Sequence, residues 1–381
     1  MARFDMLIKR GTVLDPGAGL RGRMDVALAG GRVAAVAPDL ATADAATVFD
    51  AEGLIVTPGL IDFHLHAYWG GTDMGLDVDR YCLPRGVTTA VDGGSAGAYN
   101  FLAFRRLVVD AAKSRVLAFL NLSTIGQVDT RVGELANLGY VDTEATARCI
   151  EENRDVILGL KVRLGRDAVG EHSVRPLEIA RELADSLAVP IMVHIGDTDA
   201  PLPQILPLLR GGDIVTHIFT ARGYGILDEE GQILPVVREA VARGVKLDSA
   251  QGRKNLGYRI ARKAIAAGLL PDTISTDVVI YSARGSVRDL PHILSSFLAL
   301  GLSLEDVLLR ATAMPARLLG REGEIGALSP GAVADVAAFA LEEGEFAFVD
   351  ATGEKITGRQ HLSPRLVVRA GEVVPVQEID Q

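Results

Sequence analysis

The sequence predicts an α/β fold: a (β/α)8 TIM barrel joined to a small β-sandwich domain that is formed from both chain termini. Three observations predict this fold. Short apolar runs alternate with helical stretches between residues 58 and 324, hairpin-like segments lie at both ends, and 381 residues exceed what one core usually holds. Apolar residues make up 48% of the chain and charged residues 23%, which excludes a disordered chain.

The barrel prediction depends on eight apolar runs of strand length: Leu60–Leu65, Val87–Val91, Val116–Leu122, Ile157–Val162, Ile191–Ile195, Ile214–Ile218, Val245–Leu247 and Ile274–Thr276. Helical periodicity fills gaps between them, most clearly in Arg175–Leu187, Leu234–Arg243, Tyr258–Ala267 and Ser303–Leu319. Eight βα units within roughly 250 residues are typical of a TIM barrel. An open, doubly wound sheet is the less favoured alternative, because polar residues recur at strand ends all along the sequence.

The two ends of the chain share a different texture, in which short apolar runs are separated by glycine-containing turns. These runs are Met6–Ile8, Met24–Leu28 and Arg32–Val36 at the start, and Ala334–Ala340, Phe346–Asp350 and Arg365–Arg369 at the end. Such runs are typical of hairpins. We therefore predict a composite β-sandwich domain from residues 1–57 and 325–381, and a barrel domain from residues 58–324.

Composition excludes several classes of partner. The formal net charge is −10 and no basic block with interleaved aromatic residues occurs, so neither nucleic acid nor a membrane surface is predicted to bind. Cys82 and Cys149 are far apart in the sequence and form no CxxC pattern, which argues against a disulfide framework or a thiolate zinc site. No apolar signal region or membrane-spanning run occurs, and we predict a cytoplasmic protein.

Metal-ligand residue types lie where the predicted strands end. His64 and His66 are two residues apart on one strand, so both imidazoles lie on the same side of it. His194, His217 and Asp277 each directly follow or end an apolar run. Because the carboxyl ends of barrel strands meet on one face, four histidines and a carboxylate are predicted to share one pocket.

Lys161 lies near the end of the predicted strand Ile157–Val162, where an unpaired ammonium group is costly to bury. Burial lowers the pKa of a lysine, and the neutral amine reacts with carbon dioxide to give a carbamate whose two oxygens can bridge two cations. The alternative is a lysine that reaches the barrel mouth or pairs with an acid. The companion ligands on other strands favour the carbamate.

Three motifs give the whole chain a resemblance to the amidohydrolase superfamily, in particular to the branch that includes dihydroorotase, D-aminoacylase and the amidohydrolase/deacetylase metallohydrolases. The motifs are Val56–His66, Gly86–Asp92 and Gly326–Val336. Likeness to the deacetylase members lies in His66–Gly71, Asp92–Gly97 and Thr276–Gly285.

The resemblance implies a binuclear centre in which His64, His66 and Asp277 bind the more buried cation. It implies that His194 and His217 bind the more exposed cation, and that carboxylated Lys161 bridges the two. Zinc suits this mixture of imidazole and oxygen ligands. In such a centre a metal-bridging hydroxide attacks a carbonyl, and Asp277 acts first as general base and then as general acid.

Several donors near the predicted strand ends are candidates for binding a substrate, namely Arg163, Arg222, Tyr224, Tyr281 and Arg284. A guanidinium group pairs well with a carboxylate. The predicted substrate is therefore a small acylated molecule, an N-acyl amino acid or an O-acyl 2-hydroxy acid, whose carboxylate one of these arginines holds.

Two alternatives stay open at this stage. The same metals would also hydrolyse a cyclic amide or imide, as in dihydroorotase, because the attack on a carbonyl is the same. A non-catalytic, amidohydrolase-like assembly protein is less favoured, because every ligand position is filled. A homo-oligomer is expected by resemblance alone.

Overall fold

The computed structural model of the chain describes residues 2–283 and 287–377. Its strands are β1 (Phe4–Asp15), β2 (Leu20–Ala29), β3 (Arg32–Ala37), β4 (Ala45–Asp50), β5 (Ile55–Pro58), β6 (Leu60–Leu65), β7 (Val87–Asp92), β8 (Arg115–Asn121), β9 (Ile157–Arg163), β10 (Ile191–His194), β11 (Ile214–Thr216), β12 (Lys246–Asp248), β13 (Val336–Val349), β14 (Lys355–Arg369) and β15 (Glu372–Val374). Its α-helices are α1 (Val78–Tyr81), α2 (Phe101–Phe104), α3 (Thr143–Glu152), α4 (Arg166–Val169), α5 (Arg175–Leu187), α6 (Leu202–Ile205), α7 (Pro235–Ala242), α8 (Tyr258–Ala266), α9 (Leu290–Ala299), α10 (Leu304–Leu309) and α11 (Ala313–Leu318).

Seven of these strands form one parallel sheet in the order β12-β11-β10-β9-β8-β7-β6. Neighbouring strands in space are also neighbours in sequence, with helical segments in the connections. The strands are almost entirely buried, as expected for a parallel sheet covered on both faces. The predicted mixed α/β fold with a parallel sheet is confirmed.

The eighth strand, predicted at Ile274–Thr276, is wrong as a regular strand. Residues 273–278 instead make one parallel bridge to each edge of the sheet, Asp248 with Thr273 on β12 and Leu65 with Val278 on β6. Thr276 donates its backbone N–H and its hydroxyl to the buried Asp62 carboxylate, so its donors are not available to a sheet ladder. The segment nevertheless brings the two edges of the curled sheet together.

Strands from both chain ends form a second sheet in the order β15-β14-β13-β5-β1-β2-β3, with β4 also paired to β1. β5 joins the two ends, since it is parallel to β1 and antiparallel to β13. The two runs predicted at Ala334–Ala340 and Phe346–Asp350 are one long strand, β13, with an irregular pairing between Glu343 and Phe346. The proposed two-domain boundary and the sandwich arrangement stay predictions.

The helices predicted at Arg175–Leu187, Leu234–Arg243 and Tyr258–Ala267 are present as α5, α7 and α8. The single helix predicted at Ser303–Leu319 is wrong, because α10 and α11 are separate. Pro315 disfavours a continuous helix, since its ring would clash with the carbonyl of Ala311. That carbonyl instead accepts a hydrogen bond from Ile61 at 2.8 Å. In the described ranges, none of the helices has the length and apolar character needed to cross a membrane.

Candidate metal centre

The six residues predicted as metal ligands share one place in the fold, the carboxyl end of the parallel sheet. They are His64 on β6, His66 just beyond β6, Lys161 on β9, His194 at the end of β10, His217 directly after β11, and Asp277 in the segment that joins the sheet edges. His64 and His66 lie at the carboxyl end of β6, and the alternation of side chains along a strand places both on the same side of it. The structure therefore brings together residues that are more than 200 positions apart in the sequence.

Asp277 lies at the centre of the group. Its Oδ1 is 3.2 Å from His66 Nε2 and 3.7 Å from His64 Nε2, and its Oδ2 is 3.8 Å from His217 Nε2. Ligand atoms of His64, His217 and Asp277 all lie within 4.8 Å of one another, an arrangement that could hold a metal ion.

Lys161 and His194 complete the cluster. The Lys161 side chain is 1% exposed, and its Nζ lies 3.1 Å from His64 Nε2 and 3.4 Å from Met192 Sδ. Burial lowers the pKa of Lys161 to about 8. The His194 ring lies 4.2 Å from the His217 ring, and its Nε2 is 2.9 Å from the carbonyl oxygen of Gly196, which leaves Nδ1 as its remaining ligand atom.

Three imidazoles are oriented by contacts on the ring nitrogen that faces away from Asp277. His64 Nδ1 lies 2.8 Å from Thr216 Oγ1 and 3.3 Å from Asp248 Oδ2. His66 Nδ1 lies 2.8 Å from Ser95 Oγ. His217 Nδ1 lies 2.8 Å from a backbone carbonyl oxygen, that of Ala250. These contacts fix the rings with Nε2 toward the centre, as is usual for metal-ligating histidines.

Sequence reasoning missed these orienting partners. Asp248 carried the same signal as Asp277, a carboxylate that directly follows an apolar run. The fully buried Asp248 carboxylate accepts hydrogen bonds from the hydroxyl groups of Thr216, Thr273 and Ser275, each at 2.7 Å. Asp248 thus ties the centre to the segment that leads into Asp277.

Two of the predicted ligands have a strained backbone. His217 and Asp277 have φ angles of 67° and 49°, in the left-handed region that non-glycine residues rarely adopt. Hydrogen bonds hold both positions, from Ile218 N to the carbonyl of Asp248 and from Asp277 N to the carbonyl of His64. Strain of this kind, typically about 1–3 kcal/mol per residue, is concentrated at functional sites.

The electrostatics of the cluster keep its members in their ligand forms. Burial lowers the pKa of His64, His194 and His217, which favours neutral imidazoles. Burial alone would raise the pKa of Asp277, but the hydrogen bond from His66 lowers it below its usual range. A carboxylate among neutral imidazoles is the form that binds a cation.

One atom of the cluster indicates that these residues fit a cation. His217 Nε2 is buried and has no hydrogen-bond partner among the residues that the structure describes, although buried polar atoms are nearly always paired. It faces Asp277 and the ring of His64. The residues present therefore fit a resident cation, and their nitrogen and oxygen atoms suit zinc.

Glycines allow the backbone to approach the ligands closely. A Cβ atom on Gly93 would overlap the His64 ring, and one on Gly252 would overlap Asp277 Oδ2. A Cβ atom on Gly94 would lie 2.5 Å from Lys161 Cβ, and the φ of Gly94 is +88°. Close backbone packing therefore accounts for the glycines at positions 93 and 94.

A cavity of about 170 Å³ opens above the cluster. Arg163 and Arg222 line it, in the place predicted for substrate contacts. Tyr224 and Tyr281 are 51% and 53% exposed and are not among the residues lining this cavity. Arg284, the remaining predicted contact, lies outside the described residues.

Arg163 and Arg222 already have carboxylate partners. Arg163 donates from Nε and Nη2 to the two oxygens of Glu134, at 2.9 and 2.8 Å. Arg222 Nη2 lies 3.1 Å from Asp197 Oδ2. These ion pairs reduce the capacity of either guanidinium to hold a substrate carboxylate.

Comparisons with known proteins agree with this geometry. The family model described as "Amidohydrolase family" matches residues 55–374. A deacetylase of Agrobacterium fabrum strain C58 is 34% identical over 353 residues, which cover 92% of this chain and 86% of that relative. A solved structure of a dihydroorotase has a TM-score of 0.89 at 32% identity, and one of an adenine deaminase has a TM-score of 0.90 at 28% identity. Each covers 97% of this chain, and the match spans 98% and 99% of those chains.

Proposed function

We propose that this chain, which belongs to the amidohydrolase family, is a binuclear-metal deacylase. The family match and the deacetylase relative support a hydrolase that cleaves an acyl bond. The proposed substrate is an N-acyl amino acid or an O-acyl 2-hydroxy acid. The observation that carries the proposal is the convergence of four histidines, Lys161 and Asp277 at one end of the parallel sheet, around the unpartnered His217 Nε2.

The proposed assignment of ligands is the one that the family resemblance implies, and it is compatible with the contacts of Asp277 with His64 and His66 and of His194 with His217. His64, His66 and Asp277 would hold one cation, and His194 and His217 the other, with Lys161 as a bridging carbamate. Two bound zinc ions would supply Lewis acidity at the substrate carbonyl and a hydroxide near neutral pH. The orientation of the ligating imidazoles is held by contacts with Ser95, Thr216 and the carbonyl of Ala250.

Asp277 is the residue proposed to move the proton. Its carboxylate is held ionised among the imidazoles and lines the cavity, so it is placed to accept a proton from the attacking water. Asn255 Nδ2 lies 3.4 Å from Asp277 Oδ2 and helps to position this oxygen. The same oxygen then returns the proton to the departing amine or alkoxide, which completes acyl transfer to water.

The cavity restricts the substrate to a small, polar molecule. Its volume of about 170 Å³ lies below the 300–1,000 Å³ typical of drug-sized ligand pockets. Its lining carries more charged and amide groups than apolar ones. An acylated amino acid or hydroxy acid satisfies both restrictions.

Opening of a cyclic amide is a second candidate, supported by the dihydroorotase structure at 32% identity. Both reactions begin with attack on a carbonyl, so the metal ligands do not separate them. The two reactions are distinguished by kcat/KM for a panel of possible substrates. The panel contains N-acetyl amino acids and O-acetyl 2-hydroxy acids of both configurations, together with dihydroorotate and adenine.

The proposed role of Asp277 is tested in the same assay. We expect Asp277→Asn to lower kcat by about 10²- to 10⁴-fold, the usual contribution of a general acid–base residue. Asp199→Asn removes an exposed carboxylate that pairs with Arg166, and serves as the control with unchanged kcat. An Asp277→Asn variant with kcat within threefold of wild type would refute the proposed mechanism. Deacylation would be refuted if the enzyme hydrolysed dihydroorotate or adenine and none of the acetylated compounds.

A further inference from the structure

A short turn lies directly over Asp277. After β12 the chain forms the turn Gly252–Asn255, in which Gly252 N donates to the carbonyl of Thr276 at 2.9 Å and Asn255 N donates to the carbonyl of Gln251 at 3.2 Å. The two ends of the turn contact Asp277 itself, since the Gly252 backbone packs against Oδ2 and Asn255 Nδ2 lies 3.4 Å from it. The two residues in between, Arg253 and Lys254, are therefore held close to the reacting groups.

Arg253 and Lys254 both line the cavity and are exposed to it. In contrast with Arg163 and Arg222, neither forms an ion pair with another residue in the described part of the chain. Apart from the metal cluster, the cavity lining offers them one further unpaired carboxylate, that of Asp167. The mouth of the cavity thus carries excess positive charge next to Asp277.

We propose that Arg253 and Lys254 bind the free carboxylate of the substrate and thereby determine specificity for acylated acids. This inference rests on the proposed deacylase function. The guanidinium of Arg253 offers a fork of donors to both carboxylate oxygens, and Lys254 adds a second positive charge. Because Gly252 and Asn255 fix the turn against Asp277, the carboxylate would be held at a set distance from the scissile acyl bond.

The test compares an acid with its own neutral analogue. The probes are the best substrate of the N-acetyl and O-acetyl panel and the carboxamide of that same compound, assayed with the zinc-loaded full chain. We expect wild type to prefer the acid, and Arg253→Gln with Lys254→Gln to lower kcat/KM for the acid by about 10- to 100-fold, mainly through KM. The carboxamide should change by less than about threefold.

Arg259→Gln is the matched control, because Arg259 is an exposed cation at the start of α8 that does not line this cavity. It should keep the preference for the acid. Equal kcat/KM for acid and carboxamide in wild type, or an acid preference that survives in the double variant, would overturn the inference and leave deacylation standing.

Calorimetric binding of N-acetylalanine and N-acetylalaninamide to the same proteins gives a readout independent of turnover. Binding that is selective for the acid and that the double variant loses would support the inference. It would do so even if no panel compound were hydrolysed, because the absence of hydrolysis would refute only the deacylase function. Equal binding of acid and amide would overturn the inference.

Discussion

Lys161 is the residue at which burial and charge conflict most strongly. It is among the largest fully buried side chains, and it forms no ion pair with a carboxylate in the parts of the chain described. Its nearest polar neighbour, His64 Nε2, is itself in a ring whose pKa burial lowers. A neutral amine relieves the conflict, and conversion of that amine to the proposed carbamate would turn the residue into a metal ligand.

Gly94 provides a test of how closely the backbone must approach Lys161. Gly94→Ala places a Cβ 2.5 Å from Lys161 Cβ at a φ of +88°. We expect zinc content to fall and the free energy of unfolding to drop by about 2–4 kcal/mol, since strain and overpacking add. Zinc analysis and urea unfolding of the purified variant measure both.

Gly212→Ala is the control for that substitution. Gly212 has a similar φ of +94°, but no atom lies within 4 Å of the added Cβ. It should show the conformational cost alone, about 1 kcal/mol, with full zinc content. Equal effects of the two substitutions would show that contact with Lys161 has no role.

For individual residues, the sequence predicts the candidate metal ligands better than the residues that contact and orient them. Each predicted ligand lies within, ends or closely follows an apolar run, so strand periodicity together with residue type locates it. Ser95 and Thr216 were missed because hydroxyl residues occur in many buried strands without orienting a ligand. Arg253 and Lys254 were missed because exposed charges in a turn are usually solvated, and only the three-dimensional contacts reveal their lack of partners.

Among the elements, the contact of α9 with the long hairpin β13–β14 contains a buried histidine away from the metal cluster. The His292 ring on α9 lies 4.9 Å from the Phe348 ring and 5.8 Å from the His361 ring, and no described residue forms a hydrogen bond with its Nδ1. Burial, with help from Arg288 and His361, lowers the pKa of His292 to about 3. The ring is therefore neutral in the folded protein.

This neutral ring predicts acid sensitivity. Between about pH 6.5 and 3 the unfolded chain binds a proton at His292 that the folded chain does not, so stability falls as pH falls. From pH 7.5 to 4.5 the loss from this residue should be about 2–3 kcal/mol. Urea unfolding of metal-free wild type and His292→Leu at both pH values should show a smaller loss in the variant, and parallel losses would contradict the assignment.

Elements with regular periodicity were predicted well, and those shaped by tertiary contacts were not. The helix α5 begins and ends where its pattern predicts, because one face is apolar throughout. The segment at Ile274–Thr276 looks like a strand in sequence, but Asp62 takes the donors of Thr276. The break between α10 and α11 likewise depends on the carbonyls of Arg310 and Ala311, which accept from Ile274 and Ile61.

In the molecule as a whole, one buried carboxylate connects the two sheets. Asp335, whose side chain is 3% exposed, lies 3.2 Å from Arg115 on β8 and 3.1 Å from Arg369 on β14. Its backbone carbonyl accepts a hydrogen bond from Gly59 between β5 and β6. The parallel sheet and the sheet formed by the chain ends therefore meet at this residue.

Loss of this connection should weaken the whole chain. Asp335→Ala leaves two largely buried guanidinium groups without their shared partner, and we expect the free energy of unfolding to fall by about 3–5 kcal/mol. Asp50→Ala removes an exposed partner of Arg10 and should cost less than about 1 kcal/mol. Similar losses for both variants in urea unfolding would show that the two sheets are not coupled through Asp335.

The proposed bridging of two cations by Lys161 can be tested by measuring the metal content of the protein. Protein grown with zinc and buffered with bicarbonate should hold two zinc ions per chain and show a carbamate signal after ¹³C-bicarbonate labelling. Lys161→Ala should lose the signal and most of the metal, while Lys246→Ala, at a half-buried lysine on β12 that pairs with Asp272, should keep both. One zinc ion or none per chain, with a content that Lys161→Ala does not change, would rule out a two-cation centre bridged by Lys161.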